Sequence, residues 1–527
     1  MILLFLLYFS SSLWGQSRDV TEYVDSMIGN SDSRWMQFPG PAMPFGMVKL
    51  SPDNQGNVWR GGYEYKINQI IGFSHIHSWT MGGLLTMPVT GPLKIKPGEE
   101  NEPDSGYRSR INHKNEKASL SYYSVLLDDY NIKAELTSTT RTGFQRYTFP
   151  KSDSSRILFD LENGSEYPYE VRWASISKVS DYEIEGFSTQ SSYDEPTNLL
   201  NDYTVYFVAR VDKPMKSFGT WVNGYVDTTS SICWGRHDIG AFMNFNTEEG
   251  EIIQLKTAIS YVSIEQARKN LEVESGGFGW NFDAVRKYAV NEWRKILSTI
   301  EIEGGTEEDK RKFYTNLYRS YCSRTIFSDV DDQYVDMYER TQQLKDPASP
   351  IYGCDAFWNT FWNLNQLWAL ATPDIMNKWV ESLLEYYRVG GWLPNGPPGV
   401  EYCDIMGAQH EIPLMVSAYQ KGIRNYDVDK AYEAVKKTLT TQGTALSSGG
   451  IVGNRHLDVY LKYGFVPYGE KSHHNVFGTT YEGPTSNTLE YAFDDWNAAQ
   501  FAKALGYEED YDYFTRRAYN YKNVFDS

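Results

Sequence analysis

The sequence predicts two unlike halves: an antiparallel β-sandwich over residues 20–262, then a helical domain over 301–527, with linker helices over 263–300 between them. Three observations carry this. Short β-rich runs fill the first half: IKAELTS (132–138) alternates, RILFDLE (156–162) and YTVYFVARV (203–211) are β-rich, and turn clusters such as DKP and NGS separate such runs. No long amphipathic helix interrupts that stretch, so two packed sheets are expected. Past residue 263 the period changes, and Phe282, Val285, Ala289, Trp293 and Ile296 recur at three- and four-residue spacing, as one helix face does. Thr306 and Asp309 form a capping-box-like start for the helix KFYTNLYRSYCS (312–323). Further helices are expected at 357–371, 374–389, 409–422, 427–441, 489–505 and 508–525, joined by Gly/Pro-rich loops.

Composition narrows the partners. Aromatic residues make up 15% of the chain, with 40 Tyr and 15 Trp. Indole and phenol rings stack on the C–H faces of sugars while their polar tips bond hydroxyls, which favours a carbohydrate partner over a merely Tyr-rich surface. The net charge of −18, with no Lys/Arg run of five or more, argues against nucleic acid or anionic membrane as a partner. Residues 1–14, MILLFLLYFSSSLW, read as the apolar core of a signal peptide spanning 1–16. Export to a periplasmic or extracellular space follows, with a buried N-terminal strand as the alternative. No other apolar run approaches the ~18 residues of a membrane helix. Cys233, Cys322, Cys354 and Cys403 stand singly, neither a zinc pattern nor a disulfide framework.

The densest chemistry lies in residues 38–91, FPGPAMPFGMVKLSPDNQGNVWRGGYEYKINQIIGFSHIHSWTMGGLLTMPVTG. Pro39, Gly40, Pro41 and Pro44 fix an irregular backbone, and Trp59, Arg60, Tyr63, His75, His77 and Trp79 are expected on loops between short apolar runs. His75 and His77, two apart, could also suit a metal, but no third ligand has suitable spacing. Structural packing of these aromatics is the alternative. In the second half, IYGCDAFWNTFWNLNQLW (351–368) sets Asp355 just before an aromatic helix, where its carboxylate can cap the N-terminus or bond sugar hydroxyls. Trp358 and Trp362 would share a face of that helix. GGWLPNGPPGVEYCDIMGAQHEIPLMVSAYQKG (390–422) is too rich in Gly and Pro at its start for a helix. It then presents Gln409, His410 and Glu411, and since residue 414 is Leu, H-E-x-x-H is absent. His410 can bond substrate at a rim or serve as a structural histidine. SNTLEYAFDDWNAAQFAKALG (486–506) puts Glu490 and Asp494 four apart on one face, beside Asp495. Paired carboxylates supply acid and base chemistry, but two on one helical turn cannot clasp a glycosidic bond from opposite sides.

Together with GYRSRINHKNEKASLSYYSVLLDDYNIKAELTSTTRTGFQRYTFP (106–150) and SYVSIEQARKNLE (260–272), these segments resemble glycoside hydrolase family 92, the calcium-dependent exo-acting alpha-mannosidases, from residue 23 to 525. The resemblance implies a helical (α/α)6-type toroid whose functional loops gather at one end. It further implies an inverting hydrolysis of terminal alpha-mannosides in mannose-rich glycans. It makes Asp355, Trp59, Arg60, His75, His77, Trp79, His410 and Glu411 substrate-binding candidates, with the N-terminal loops on the leaving-sugar side. The family's acid loop, Asp-Asp loop and calcium-binding Gly-Asn-Glu-Pro segment have no counterpart here. Tyr481-Glu482-Gly483 is followed by Pro484 and precedes the Leu-Glu-Tyr-Ala helix. The expectation is therefore a toroid incomplete at its C-terminus, with the catalytic residues and the Ca2+ ligands beyond Ser527. Two other readings stay open: a catalytically inactive carbohydrate-binding protein using the same interface, and a different toroid enzyme using Glu490, Asp494 or Glu482.

Overall fold

The computed structural model describes residues 19–32, 37–56, 62–164, 168–195, 198–346, 349–354, 357–402, 407–446, 450–469 and 483–526. Two antiparallel sheets make the first half. The smaller has seven strands in the order Ser51–Asp53, Gly72–Ser74, Leu85–Val89, Ser152–Asp160, Ile239–Thr247, Ser217–Val222 and Tyr225–Asp227. The larger has nine: Ile232–Gly235, Tyr169–Ser180, Glu183–Glu195, Asn198–Val211, Glu251–Ser260, Thr142–Phe149, Ile132–Ser138, Tyr122–Leu127 and Lys117–Ser119. Alternation places the core. Cross-strand pairs Tyr123↔Leu136, Val125↔Ala134 and Leu127↔Ile132 are all fully buried, and each large apolar side chain so enclosed contributes roughly 1.5–3 kcal/mol. Phe159 of the smaller sheet stacks on Phe207 of the larger, 6.5 Å between centroids, closing the sandwich.

Two helices follow. Ser263 caps α1 (Ile264–Gly276) by accepting from the Gln266 N–H, and Asn281 caps α2 (Phe282–Leu297) from Ala284. Helix α1 lies on the outer face of the larger sheet, with Ala267 and Leu271 against Val208 and Ala258. The buried face of α2 is Phe282, Val285, Ala289, Trp293 and Leu297, with Ile296 half-buried at its edge.

The helical half comprises α3 (Glu307–Arg319), α4 (Leu364–Ala371), α5 (Pro373–Gly390), α6 (Glu411–Gln420), α7 (Val428–Thr440), α8 (Leu457–Tyr463), α9 (Pro484–Leu505) and α10 (Glu508–Ala518). Thr306 and Asp309 complete the capping box of α3 in both directions, at 3.1 and 3.0 Å. The core of this half holds Trp293, Trp368 and Trp379 together with residues from α5, α6, α7 and α9. Tyr23, Val24 and Phe45 belong to that same core. The chain's first described segment is thus a strap on the helical half, where Arg319 donates to the carbonyls of Phe38 and Ser26, and Thr315 accepts from Asp25 N–H at 3.0 Å.

One expected helix divides. Residues 357–371 form a 3₁₀ turn over Phe357–Trp362 and then α4 from Leu364, because Asn363, at φ −153° and ψ −31°, departs from helical backbone. In 3₁₀ winding i and i+3 eclipse, so the shared i, i+4 face expected of positions 358 and 362 does not arise. Phe357 is buried and Trp362 is 70% exposed. Helix α8 has no counterpart among the expected helices, and α9 starts five residues early with Pro484 in its first turn, where a missing N–H costs nothing. No helix among the described residues is long and apolar enough to cross a membrane.

Where sandwich, linker and helical half meet, Asp329 is fully enclosed. It accepts from Ser260 at 2.7 Å and from Asn270 of α1 at 2.6 Å, while Asn270 Oδ1 accepts from Val330 N–H. Burial pushes Asp329 and Asp160 up to about 6, and Asp494 and Asp495 up to about 7. A carboxyl with a raised folded-state pKa binds more protons folded than unfolded, so stability is lost as pH rises through that interval. His75, pushed down to about 4 by burial, acts oppositely, losing stability as pH falls below its ordinary value. Four carboxyls outweigh one imidazole, and the net charge of −18 adds self-repulsion at higher pH. The melting temperature should therefore fall between about pH 5 and pH 8. A melting temperature that climbs steadily over that range would contradict this account.

Candidate functional site at the seam between the halves

The site is built where loops of the sandwich meet the helical half. Lys49 lies in that seam, fully enclosed. Its Nζ donates to Ser78 Oγ at 2.8 Å, to Thr325 Oγ1 and to the Arg324 carbonyl at 3.3 Å, joining the two halves. Burial holds its pKa down to about 8. Arg324 itself is buried in an aromatic enclosure, its guanidinium 3.8 Å from the Trp379 ring centroid and 4.2 Å from that of Trp368. Met81 Sδ and Cys354 Sγ are 3.3 Å apart, so the turn Ser78–Met81 abuts the strand that leads to position 355. Backbone strain concentrates here: Phe45, Thr80, Leu84, Arg324 and Cys354 have φ of 54°, 64°, 55°, 68° and 52°. Left-handed non-glycine residues of this kind persist where surrounding structure over-determines them, and they cluster at functional sites.

The sequence-predicted residues fare differently. Trp59, Arg60 and Asp355 lie outside the described residues, as do Tyr481 and Glu482. His75 and His77 are not on open loops. Both rings are enclosed, because the sequence around them forms the strand Gly72–Ser74 and a tight turn pressed onto the larger sheet. His75 Nδ1 faces the Leu84 carbonyl at 2.9 Å, and Nε2 meets Gln145 at 3.3 Å. Gly143 makes room for this ring, since a Cβ there would lie 2.9 Å from it. His77 bridges the Lys49 carbonyl and Asp53 Oδ1, each at 2.8 Å. Trp79 is buried at 6% exposure. The partners of both histidines lie within the sandwich, and these three side chains present almost no surface to a ligand.

His410 and Glu411 begin α6 and face α9. His410 Nε2 lies 2.7 Å from Glu490 Oε2, and its ring sits edge-on to Phe361 (4.9 Å) and Phe493 (6.2 Å). Glu411 is fully enclosed. Asp494, one turn along α9 from Glu490, accepts from the Gln409 N–H at 2.8 Å and is also enclosed. Its rise to about 7 comes from burial, against the opposing pull of His410 and that hydrogen bond. Asp495 is a structural group, paired with Arg517 and bonded by Tyr460 at 2.9 Å. Of the three carboxylates Glu490 alone reaches solvent, its side chain 41% exposed. The arrangement can orient one carboxylate through a histidine, with aromatic rings (Phe361, Phe493, then the half-exposed Trp496) around it.

Lys49 and Arg324 are the seam residues that sequence reasoning missed. Each is a lone cation in a mixed run, and only contacts some 275 positions apart mark them. Among the described residues no group of three or more His, Cys, Asp or Glu side chains is placed to hold a metal ion. No described residue is therefore assigned as a calcium ligand.

A sandwich joined through two helices to a helical domain, with an aromatic and carboxylate cluster on the helical side, matches one class of sugar hydrolases along the whole chain. The chain belongs to glycosyl hydrolase family 92: residues 23–260 match the family's N-terminal domain and residues 266–527 its catalytic domain. A family GH92 alpha-mannosidase of Bacteroides thetaiotaomicron, solved in complex with mannoimidazole, superposes with a TM-score of 0.85 at 29% identity, over 97% of this chain and 64% of that one. A family GH92 inverting mannosidase of the same organism gives 0.82 at 25% identity, over 97% and 66%. An uncharacterized secreted glycosidase of Arthroderma benhamiae is 24% identical over 96% of this chain and 62% of its own length. The chain thus spans less than two thirds of the length of each of these proteins.

Proposed function

We propose that the protein is an exported glycosidase that hydrolyses terminal alpha-mannosidic linkages of mannose-rich glycans. The observation that carries the reading is the 29%-identical match, over 97% of this chain, to an alpha-mannosidase solved with mannoimidazole. We read the helical half as part of an (α/α)6-type ring, and the reaction as inverting, with water attacking the anomeric carbon opposite the leaving oxygen. In this reading Glu490 accepts hydrogen bonds from sugar hydroxyls. His410 fixes its carboxylate, and Asp494 pins the Gln409 backbone from which His410 projects. The flanking aromatic rings supply apolar faces to the sugar. Asp355, Trp59 and Arg60 remain proposed binding residues on the strength of the resemblance. A calcium requirement is proposed on the same ground, with no ligand assigned.

The test uses the full-length gene product with alpha-mannosides and alpha-glucosides, following the sugar released and its first anomer by NMR, before and after chelation. The expected result is mannose released first as the β-anomer, and loss of release on chelation that calcium restores. Glu490→Gln should lower kcat/KM by about 10²-fold while leaving the melting temperature within about 1 °C, since the side chain is half-exposed. Release of no mannose from any alpha-mannoside would overturn the reading.

A further inference from the structure

The outer face of the nine-stranded sheet is covered unevenly. Helix α1 packs on the strands Asn198–Val211 and Glu251–Ser260, and α2 on Ile132–Ser138 and Thr142–Phe149. Beyond α1, toward the edge strand Ile232–Gly235, large aromatic rings lie in solvent. Trp234 is 62% and Trp173 39% exposed. Their rings are 5.4 Å apart at a 31° tilt, so each braces the other. Strand register lines up more of this face. Trp234 stands opposite Ser175, Ser175 opposite Phe187, and Phe187 opposite Tyr206, one row across four strands. Cys233 and Gly235 on the edge strand point inward, which sets Trp234 outward. Three strand spacings make the row roughly 14 Å long. Phe187 and Tyr206 are 5.8 Å apart, and the next row holds a Thr189–Thr204 hydroxyl pair at 2.9 Å.

Several charges around this row are paired. Arg172 pairs with Asp202, Lys178 with Asp181 at 2.7 Å, and Arg268 with Glu185. On a chain of net charge −18, the Trp173–Trp234 end is thus dominated by rings and hydroxyls, with Glu265 and Glu339 acting only on Tyr206 at the other end. That chemistry suits an uncharged polyhydroxylated chain, whose pyranose C–H faces stack on indole while its hydroxyls bond Ser and Thr. A basic protein partner would seek the acidic surface instead, and a nucleic acid would be repelled. Bracing of the tryptophans lowers the ordering cost of binding.

We propose that this strip, anchored by Trp173 and Trp234, is a second saccharide-binding surface, which holds a neutral hexopyranose chain on the outer face of the sandwich. It stands independently of the hydrolytic reading, because binding here requires no catalysis. The experiment is affinity electrophoresis of the full chain in gels carrying yeast mannan or pullulan, with Trp173→Ala, Trp234→Ala and the double variant, alongside sedimentation velocity. Tyr468→Ala, an exposed aromatic elsewhere at 93%, serves as the control. Retardation by either polysaccharide that weakens at least tenfold in each Trp variant, with the control unchanged, supports the surface and tells which sugar it takes. Equal migration of wild type and double variant in both gels overturns it, even if the protein hydrolyses mannosides. A wild-type dimer that Trp234→Ala turns into monomer also overturns it, assigning the strip to pairing between copies.

Discussion

Arg517→Ala will cost about 3–5 kcal/mol and loosen the C-terminal helices first, because it strands a buried carboxylate. Asp495 on α9 has no exposed side-chain surface, and Arg517 on α10 approaches it with Nε at 3.0 Å and Nη2 at 2.7 Å. Tyr460 on α8 donates to the same carboxylate and to the Arg517 carbonyl, at 2.9 and 3.1 Å. Three helices therefore converge on one ion pair. Burial pushes the Asp495 pKa up against the opposing pull of Arg517 and Tyr460, so the carboxylate relies on those two partners. Hydrogen exchange should show α8, α9 and α10 losing protection while the sandwich strands keep theirs. Replacing both partners, Asp495→Leu with Arg517→Met, should recover much of the loss, since no unpaired charge remains. A double variant no better than Arg517→Ala would mean that the pair acts through packing instead.

Trp379→Ala will cost a similar 3–5 kcal/mol, and its damage will fall on the seam. Trp379 stacks on Tyr352 at 3.9 Å and lies parallel to Trp368 at 5.6 Å. It also takes Phe45 edge-on at 5.4 Å and the Arg324 guanidinium at 3.8 Å. Phe45 belongs to the strap, Tyr352 to the strand before position 355, and Arg324 to the left-handed residues of the seam. Removing the indole leaves a large cavity and takes away a stacking face from a buried cation. Limited proteolysis should therefore cut the strap in Trp379→Ala, and Trp379→Phe should resist it better. A variant that melts lower but shows no new cleavage near residues 19–45 would separate this tryptophan from the seam.

Local signals were read correctly where they are local in cause. Period-two runs such as IKAELTS became strands, and Thr306 with Asp309 capped α3, because pleat and cap are decided within a few residues. The motif around Glu490 was legible for the same reason: helical spacing alone sets it beside Asp494. The division of 357–371 was not legible, since aromatic residues at helical spacing fit either winding until Asn363 leaves helical backbone. His75, His77 and Trp79 read as open binding loops, yet their enclosure depends on Gln145, Leu84 and Lys49, whose positions only the folded sheets define. Lys49 and Arg324 were invisible for a stronger reason, because a buried cation announces itself only through its partners.

The strap carries a consequence for the order of events during synthesis. Its contact from Asp25 to Thr315 spans 290 positions, so this segment leaves the ribosome long before the partner that fixes its place. At about 5–20 residues per second, roughly 15–60 s pass between the making of Asp25 and the arrival of Thr315. The sandwich, whose last strand ends at Ser260, has only the last 55 positions of that interval, roughly 3–11 s, to close by itself, with Tyr23, Val24 and Phe45 still holding apolar surface in reserve. The arriving helices supply most of its cover, which makes the strap a latch set after the sandwich.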